Sequence, residues 1–231
     1  MDTQWRIAVG DDDQLFSETL KSCLEREGHS VAVYNSAEIF LKGVRETRPD
    51  AVFLDVLFGP TDGRKICRTL RKDAATRDIA IIMVSALRRE IEDIVDGLAH
   101  GADDYLLKPL DRRLTLAKLN SVMQRLKAPG ELQPALHTFG LSLDAHARRV
   151  RVGTQDVTLT RMEFDLLTYF LRRPGVVLTA RQLLDAVWGY EPEKYDDPAT
   201  VHVHISRLRK KLGKTFSARL ATLVNAGYRL D

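Results

Sequence analysis

The chain has 231 residues, of which 44% are apolar and 29% charged, a balance that buries a core and excludes a disordered chain, a collagen-like chain and a disulfide-dense miniprotein. At about 100–200 residues per domain, this length suggests one large domain or two ordinary ones. The net charge of +3 is unevenly divided: residues 1–125 carry 19 Lys and Arg against 21 Asp and Glu, and residues 126–231 carry 16 against 11, so an acidic half precedes a basic half suited to a polyanion.

In chain order, β-branched runs at Arg6–Gly10, Ser30–Tyr34, Ala51–Asp55, Ala80–Ser85 and Asp104–Lys108 predict five strands. Amphipathic stretches lie between them; in the first, Phe16, Leu20, Cys23 and Leu24 recur at helical spacing. Five strand-then-helix units argue for a parallel sheet with helices on both faces. Lys127–His137, with Pro129-Gly130 and Pro134, reads as a linker. Short strand-like pieces follow at Phe139–Leu143, Val150–Val152 and Val157–Leu159, and then three helices. Thr160-x-x-Glu163 and Thr179-x-x-Gln182 predict capping boxes at the first two, and Asp197-Pro198 opens the third. The tail, Leu220–Val224 and Tyr228–Leu230 around Asn225-Ala226-Gly227, predicts a hairpin. The longest apolar runs, Ala51–Phe58 and Ile79–Leu87, fall short of the ~18–20 residues that span a bilayer. With no export signal after Met1 and two cysteines, Cys23 and Cys67, at no metal or redox spacing, a cytoplasmic protein is expected.

Four strand ends carry polar groups: Asp11-Asp12-Asp13, Asp55, Ser85 and Lys108-Pro109. A parallel sheet gathers these ends on one edge. Clustered carboxylates repel and need a cation, and Mg²⁺ suits one or two carboxylates plus phosphate oxygens. A strand-end carboxylate is also a nucleophile that can form an aspartyl-phosphate, with a lysine and a hydroxyl binding the phosphoryl oxygens. An EF-hand loop starting at Asp11 fails, with Phe16 where glycine is needed and Ser22 where glutamate is needed.

Residues 6–125 resemble a receiver domain of bacterial two-component response regulators. The stretches that carry the resemblance are Ile7–Asp13, Pro49–Asp55, Met83-Val84-Ser85-Ala86 and Gly101–Pro109. The resemblance implies a flavodoxin-like (βα)5 fold. It further implies that Asp55 accepts a phosphoryl group from a sensor histidine kinase, and that Asp11, Asp12, Asp55 and the carbonyl of Leu57 hold Mg²⁺. Ser85 and Tyr105 would be the switch residues, Lys108 would pair with the phosphoryl group, and Lys108–Pro109 would be a cis peptide. Gly10 departs from the family's usual β-branched residue, and Gly59-Pro60 inverts its usual order.

In the third C-terminal helix, expected over Pro198–Leu212, Val201, Ile205, Leu208 and Leu212 form an apolar stripe. Thr200, Val203, His204, Arg207 and Lys211 are expected on an outward arc, and five Lys or Arg with no acid lie between Ala199 and Lys214. Leu159-Thr160-Arg161-Met162-Glu163-Phe164, Gln182–Gly189, Thr200–Leu212 and Gly227-Tyr228-Arg229 resemble the smaller α+β winged-helix output domain of OmpR/PhoB-type regulators. In that family the third helix enters the major groove of double-stranded DNA and the wing reaches the minor groove. The resemblance therefore implies DNA contacts from Thr200, His204, Arg207, Arg209, Lys211 and Arg229. Ala199 and His202 stand where the family commonly has Arg and Asp, and Val224 and Asn225 where it has Arg and Gly.

Together these stretches predict a receiver over residues 1–126, a linker over 127–137 and a winged helix-turn-helix over 138–231. The implied function is a phosphorylation-dependent transcription regulator, with no enzymatic role beyond its own phosphotransfer and slow self-dephosphorylation. An aspartyl-phosphate phosphohydrolase would need a second acid two residues after Asp55, where Leu57 stands. Promoter DNA and RNA polymerase are the further expected partners, and phosphorylation is expected to favour a homodimer. By ungapped placement the dimer face uses Asp104 with Lys118 as a crossed ion pair, and Ile94 with Leu114 as an apolar contact in place of another.

Overall fold

The computed structural model describes residues 4–86, 100–127, 136–138, 140–144, 147–189 and 198–231, and the chain divides into two compact units, Met1–Met123 and Gln124–Asp231. The first contains β1 (Arg6–Gly10), α1 (Gln14–Glu25), β2 (Ser30–Tyr34), α2 (Ala37–Thr47), β3 (Ala51–Asp55), β4 (Leu57–Phe58), β5 (Thr61–Asp62), α3 (Gly63–Lys72), β6 (Ala80–Ser85) and β7 (Asp104–Leu107), with α4 (Arg112–Lys127) running into the second. The five long strands form one parallel sheet in the order β2-β1-β3-β6-β7. Every residue of β3 and β6 is buried, as expected of central strands covered on both faces, whereas the edge strand β2 is only partly covered. The strand order reverses between β1 and β3, so the residues following those two strands flank the crevice where such sheets bind ligands.

Gly10 has a physical reason. A Cβ there would lie 2.8 Å from the Phe40 ring and 3.0 Å from Phe58. These two rings pack edge to face, and Tyr34 packs edge to face on Phe40. The aromatic cluster takes the volume that a β-branched strand residue would occupy. The inverted Gly59-Pro60 forms the turn of a short antiparallel ladder between β4 and β5, with Gly59 at φ 58°. Residue pairs this short leave no periodic signal in the sequence.

The second unit opens with an antiparallel sheet in the order β11-β10-β9-β8, built from β8 (Leu136–Thr138), β9 (Leu141–Asp144), β10 (Arg149–Val152) and β11 (Gln155–Val157). Leu136 and His137 therefore belong to a strand, not to the expected linker. Helix α5 (Arg161–Leu171) starts at a full capping box between Thr160 and Glu163. Helix α6 (Ala180–Leu183) starts at a second one, Thr179 with Gln182, and widens into a π-turn over Leu184–Trp188. Helix α7 spans Pro198–Arg219 but is broken at Gly213, whose φ of 81° and ψ of −178° end the first segment where the apolar stripe ends, at Leu212. Asp197, the expected cap of that helix, lies outside the described residues. Strands β12 (Leu220–Leu223) and β13 (Gly227–Leu230) form the expected hairpin, with Asn225 left-handed at φ 59°. Leu178 bridges to Tyr228 beside it, and a Cβ on Gly227 would lie 2.2 Å from the Leu178 carbonyl oxygen, so this approach requires glycine. One core joins Leu143, Val150, Leu166, Phe170, Trp188, Val201, Ile205, Leu208 and Leu230.

Candidate functional site

The carboxyl edge of the parallel sheet assembles the predicted cluster. Asp55 ends β3 in register with Val84 of β6, and Ser85 is paired with Leu107 of β7, one residue before Lys108. The Lys108 Nζ lies 2.7 Å from Asp55 Oδ2 and 2.8 Å from Asp11 Oδ2. Its ammonium also sits 4.4 Å from the centre of the Phe16 ring, a cation–π contact that sequence reading did not single out. The Lys108 amide donates to the Ser85 carbonyl at 2.7 Å, and the following bond to Pro109 is cis. Asp13 plays a local role: it caps α1 by accepting from the Phe16 amide. Its own amide donates to Asp11 Oδ1 at 2.9 Å.

Asp11 and Asp55 are both buried, whereas Asp12 faces solvent. Burial raises the Asp11 carboxyl to about 6, against the hydrogen bonds from Lys108 and the Asp13 amide that lower it. Burial alone would lower the Lys108 ammonium, but its hydrogen bonds to Asp11 and Asp55 outweigh that and hold it above its ordinary value. One oxygen from each of Asp11, Asp12 and Asp55 lies within 4.8 Å of the others. These hard oxygen donors, two of them buried with a single lysine, match the ligand preference of Mg²⁺. Leu57 donates its amide to Asp55 Oδ1 at 3.0 Å and so fixes the carboxylate's rotation, while its side chain is exposed. Gly63 admits the start of α3 against this loop, since a Cβ there would collide with the Asp55 carbonyl oxygen at 1.9 Å. Ser85 and Tyr105 are buried, the tyrosine with 4% of its surface exposed.

The basic helix differs from its sequence reading. Thr200, Val203, His204 and Arg207 are buried and do not form an outward arc. At 100° per residue, Thr200, His204, Arg207 and Lys211 fall on a flank beside the apolar stripe and not opposite it. That flank meets other parts of the unit. His204 packs edge-on against Trp188, with ring centres 5.1 Å apart. Arg207 Nε lies 3.6 Å from Glu163 Oε1, and Lys211 Nζ lies 2.6 Å from Glu163 Oε2. Arg209 donates to the Leu220 carbonyl at 3.1 Å through Nε and to Thr222 Oγ1 at 2.8 Å, tying the helix to the hairpin. Arg229 is paired with Asp231. The side open to solvent holds His202, Ser206 and Lys210, with Lys211 exposed beside its ion pair and, beyond the break, Lys214. Tyr228 Oη lies 3.4 Å from His202 Nδ1.

Of the expected dimer residues, Asp104 and Lys118 meet within one chain: Lys118 Nζ is 2.9 Å from Asp104 Oδ1, and both side chains are buried. Leu114 is half-buried, and Ile94 lies outside the described residues.

Comparison with known proteins agrees with both units. The family described as response regulator receiver domain matches residues 7–120, and the family described as transcriptional regulatory protein, C terminal, matches residues 153–230. The phosphate regulon transcriptional regulatory protein PhoB of Rhizobium meliloti is 37% identical over 98% of both chains. The DNA-binding response regulator MtrA of Mycolicibacterium smegmatis is 37% identical over 93% of this chain and 91% of its own. The solved structure of DrrB, an OmpR/PhoB homologue from Thermotoga maritima, aligns over 99% of both chains with a TM-score of 0.51 and 26% identity. A strand-end aspartate cluster bridged by lysine in one unit and a helical unit with a terminal hairpin in the other, matched over nearly the whole length, place the chain in the OmpR/PhoB family of response regulators, phosphorylation-dependent transcription regulators with a receiver and a winged-helix DNA-binding domain.

Proposed function

We propose that Asp55 accepts a phosphoryl group from a sensor histidine kinase. The observation that carries this reading is the Lys108 ammonium bridging Asp55 and Asp11 at 2.7 and 2.8 Å. In the transfer, a carboxylate oxygen of Asp55 bonds to phosphorus, and the phosphorus–nitrogen bond of the phosphohistidine breaks with its electron pair left on the imidazole. Asp11, Asp12, Asp55 and the Leu57 carbonyl would hold Mg²⁺, which supplies positive charge beside the phosphoryl oxygens. Lys108 and the Ser85 hydroxyl bind those oxygens and, by holding them better in the active conformer, shift the population toward it, with Tyr105 as the responding aromatic.

Phosphorylation then favours a homodimer through the β7 and α4 face carrying Asp104, Leu114 and Lys118, with Ile94 from the segment before β7. The Asp104–Lys118 pair, closed within one chain, would exchange for its counterpart across the dimer. The dimer binds promoter DNA in the cytoplasm, where RNA polymerase is the further partner. Helix α7 enters the major groove. Arg209 and Arg229, beside the hairpin, lie nearest the adjacent backbone, while Thr200, His204, Arg207 and Lys211 support the helix from its flank. Labelling by a small phosphodonor, followed by a gel shift on a DNA fragment enriched from a random pool, tests the reading. Tighter binding after labelling supports it; labelling without any change in DNA affinity would contradict it.

A further inference from the structure

Glu163 is fully buried, and the winged-helix unit converges on it. Its Oε2 accepts from the Thr160 amide at 2.7 Å, which completes the capping box of α5. The same oxygen accepts from Lys211 Nζ at 2.6 Å, and its other oxygen lies 3.6 Å from Arg207 Nε. One carboxylate thus joins the first turn of α5 to two cations a turn apart on α7. A capping glutamate needs no such partners, since the box is complete with the backbone alone. A buried charge, however, needs compensation, and here that comes from the helix that meets DNA.

We infer that Glu163 is a positioning residue for DNA recognition, holding Arg207 and Lys211 back from the phosphate backbone and fixing the rotation of α7 about its axis. The inference rests on α7 being the DNA-binding helix. Non-specific affinity comes almost entirely from cations that displace counterions from phosphates. A helix that released all its cations to the backbone would bind every sequence more tightly and would be free to turn. With Arg207 buried and the exposed Lys211 held in its ion pair by Glu163, the other cations on the solvent side include Lys210 and Lys214, and the face carrying His202 and Ser206 is presented in one orientation.

The test uses the full-length chain on two duplexes, one enriched by the wild type from a random pool and one of random sequence, across a salt series. In E163Q the amide oxygen can still accept from Thr160, because glutamine also serves in the capping box, but the charge that holds Arg207 and Lys211 is gone. On random DNA its log–log salt slope should steepen by about one to two units, at roughly 0.9 per added phosphate contact. Its preference for the enriched duplex should fall several-fold. K211Q should keep the wild-type slope, because Lys211 is already spent on Glu163, whereas K214Q should lose about one unit. An unchanged slope in E163Q, or a loss in K211Q equal to that in K214Q, would overturn the inference, and K211Q decides alone if E163Q does not fold. A purely structural role would lower thermal stability and leave the slopes untouched. If K214Q and K210Q also leave the slope unchanged, the assignment of α7 to DNA is what fails.

Discussion

The two units use cations in opposite ways. At the carboxyl edge of the receiver sheet, one lysine stands between two buried carboxylates, in a constellation whose members follow the ends of neighbouring parallel strands. In the winged helix, two cations of the basic helix flank one buried carboxylate, Arg207 buried with it and Lys211 reaching it from the exposed surface. In the first case the imbalance is negative and invites a cation and a phosphoryl group. In the second two cations more than offset one carboxylate, and the cations not engaged there are the ones expected to bear on DNA. Counting charges along a sequence treats the two sites alike, whereas the partners that each side chain meets separate them.

The largest effect that would sharpen this contrast is expected from Lys108→Ala. It strips the compensating charge from Asp11 and Asp55, and breaking a buried pair in this way typically costs about 3–5 kcal/mol. The metal-free variant should melt well below the wild type and recover much of the difference in Mg²⁺, as followed by thermal denaturation with and without chelator. Recovery should be far smaller for wild type, in which the lysine already offsets the carboxylates. A variant that melts with the wild type in chelator would mean that the edge is not a site of unbalanced negative charge.

Gly10→Val tests whether the aromatic cluster has taken over the volume of the residue usual in relatives. The new side chain would press on Phe40 and Phe58, and overpacking of this kind costs about 1–3 kcal/mol. A neutral or stabilising result in urea denaturation would show that the rings yield. A double variant with Phe40→Leu should restore part of the loss.

A smaller effect is expected with pH. The Asp11 carboxyl is raised by burial to about 6 from an ordinary 3.8. Between those values the folded receiver binds a proton that the unfolded chain does not, so this group's contribution to stability is full below about 4 and is lost as pH rises through about 6. Protonation also competes with metal. Mg²⁺ affinity, followed by calorimetry, should therefore weaken as pH falls through about 6, and Asp11→Asn should remove much of that dependence while weakening binding overall. An affinity flat from neutral pH to 5 would contradict the placement of Asp11.

Much of the receiver was legible in the sequence because its signals are local: four of the five long strands have the bounds that the β-branched runs predict, and β7 closes one residue earlier, at Leu107. The polar residues at their ends converge because a parallel sheet leaves them no other edge. The β4–β5 ladder and the Phe16 ring under Lys108 were not legible, since one is two residues long and the other depends on the angle of α1. In the winged helix, both capping boxes and the hairpin were read correctly, yet Glu163 was read only as a helix start. Its second role depends on a partner 48 residues away, for which the chain carries no periodic mark. The same limit explains the basic helix: its stripe of Val201, Ile205, Leu208 and Leu212 was plain, but which flank meets Trp188 and Glu163 is decided by tertiary packing.

The most direct test of the central claim is to locate the phosphoryl group. The full-length protein, incubated with a small phosphodonor and Mg²⁺ and then reduced with borohydride, should show a single modified carboxyl, converted to the alcohol at Asp55. Asp55→Asn should show none, because an amide is not a competent nucleophile, and chelator should abolish the signal in wild type. Modification at any other residue, or an equal yield in Asp55→Asn, would contradict the assignment of the phosphoacceptor.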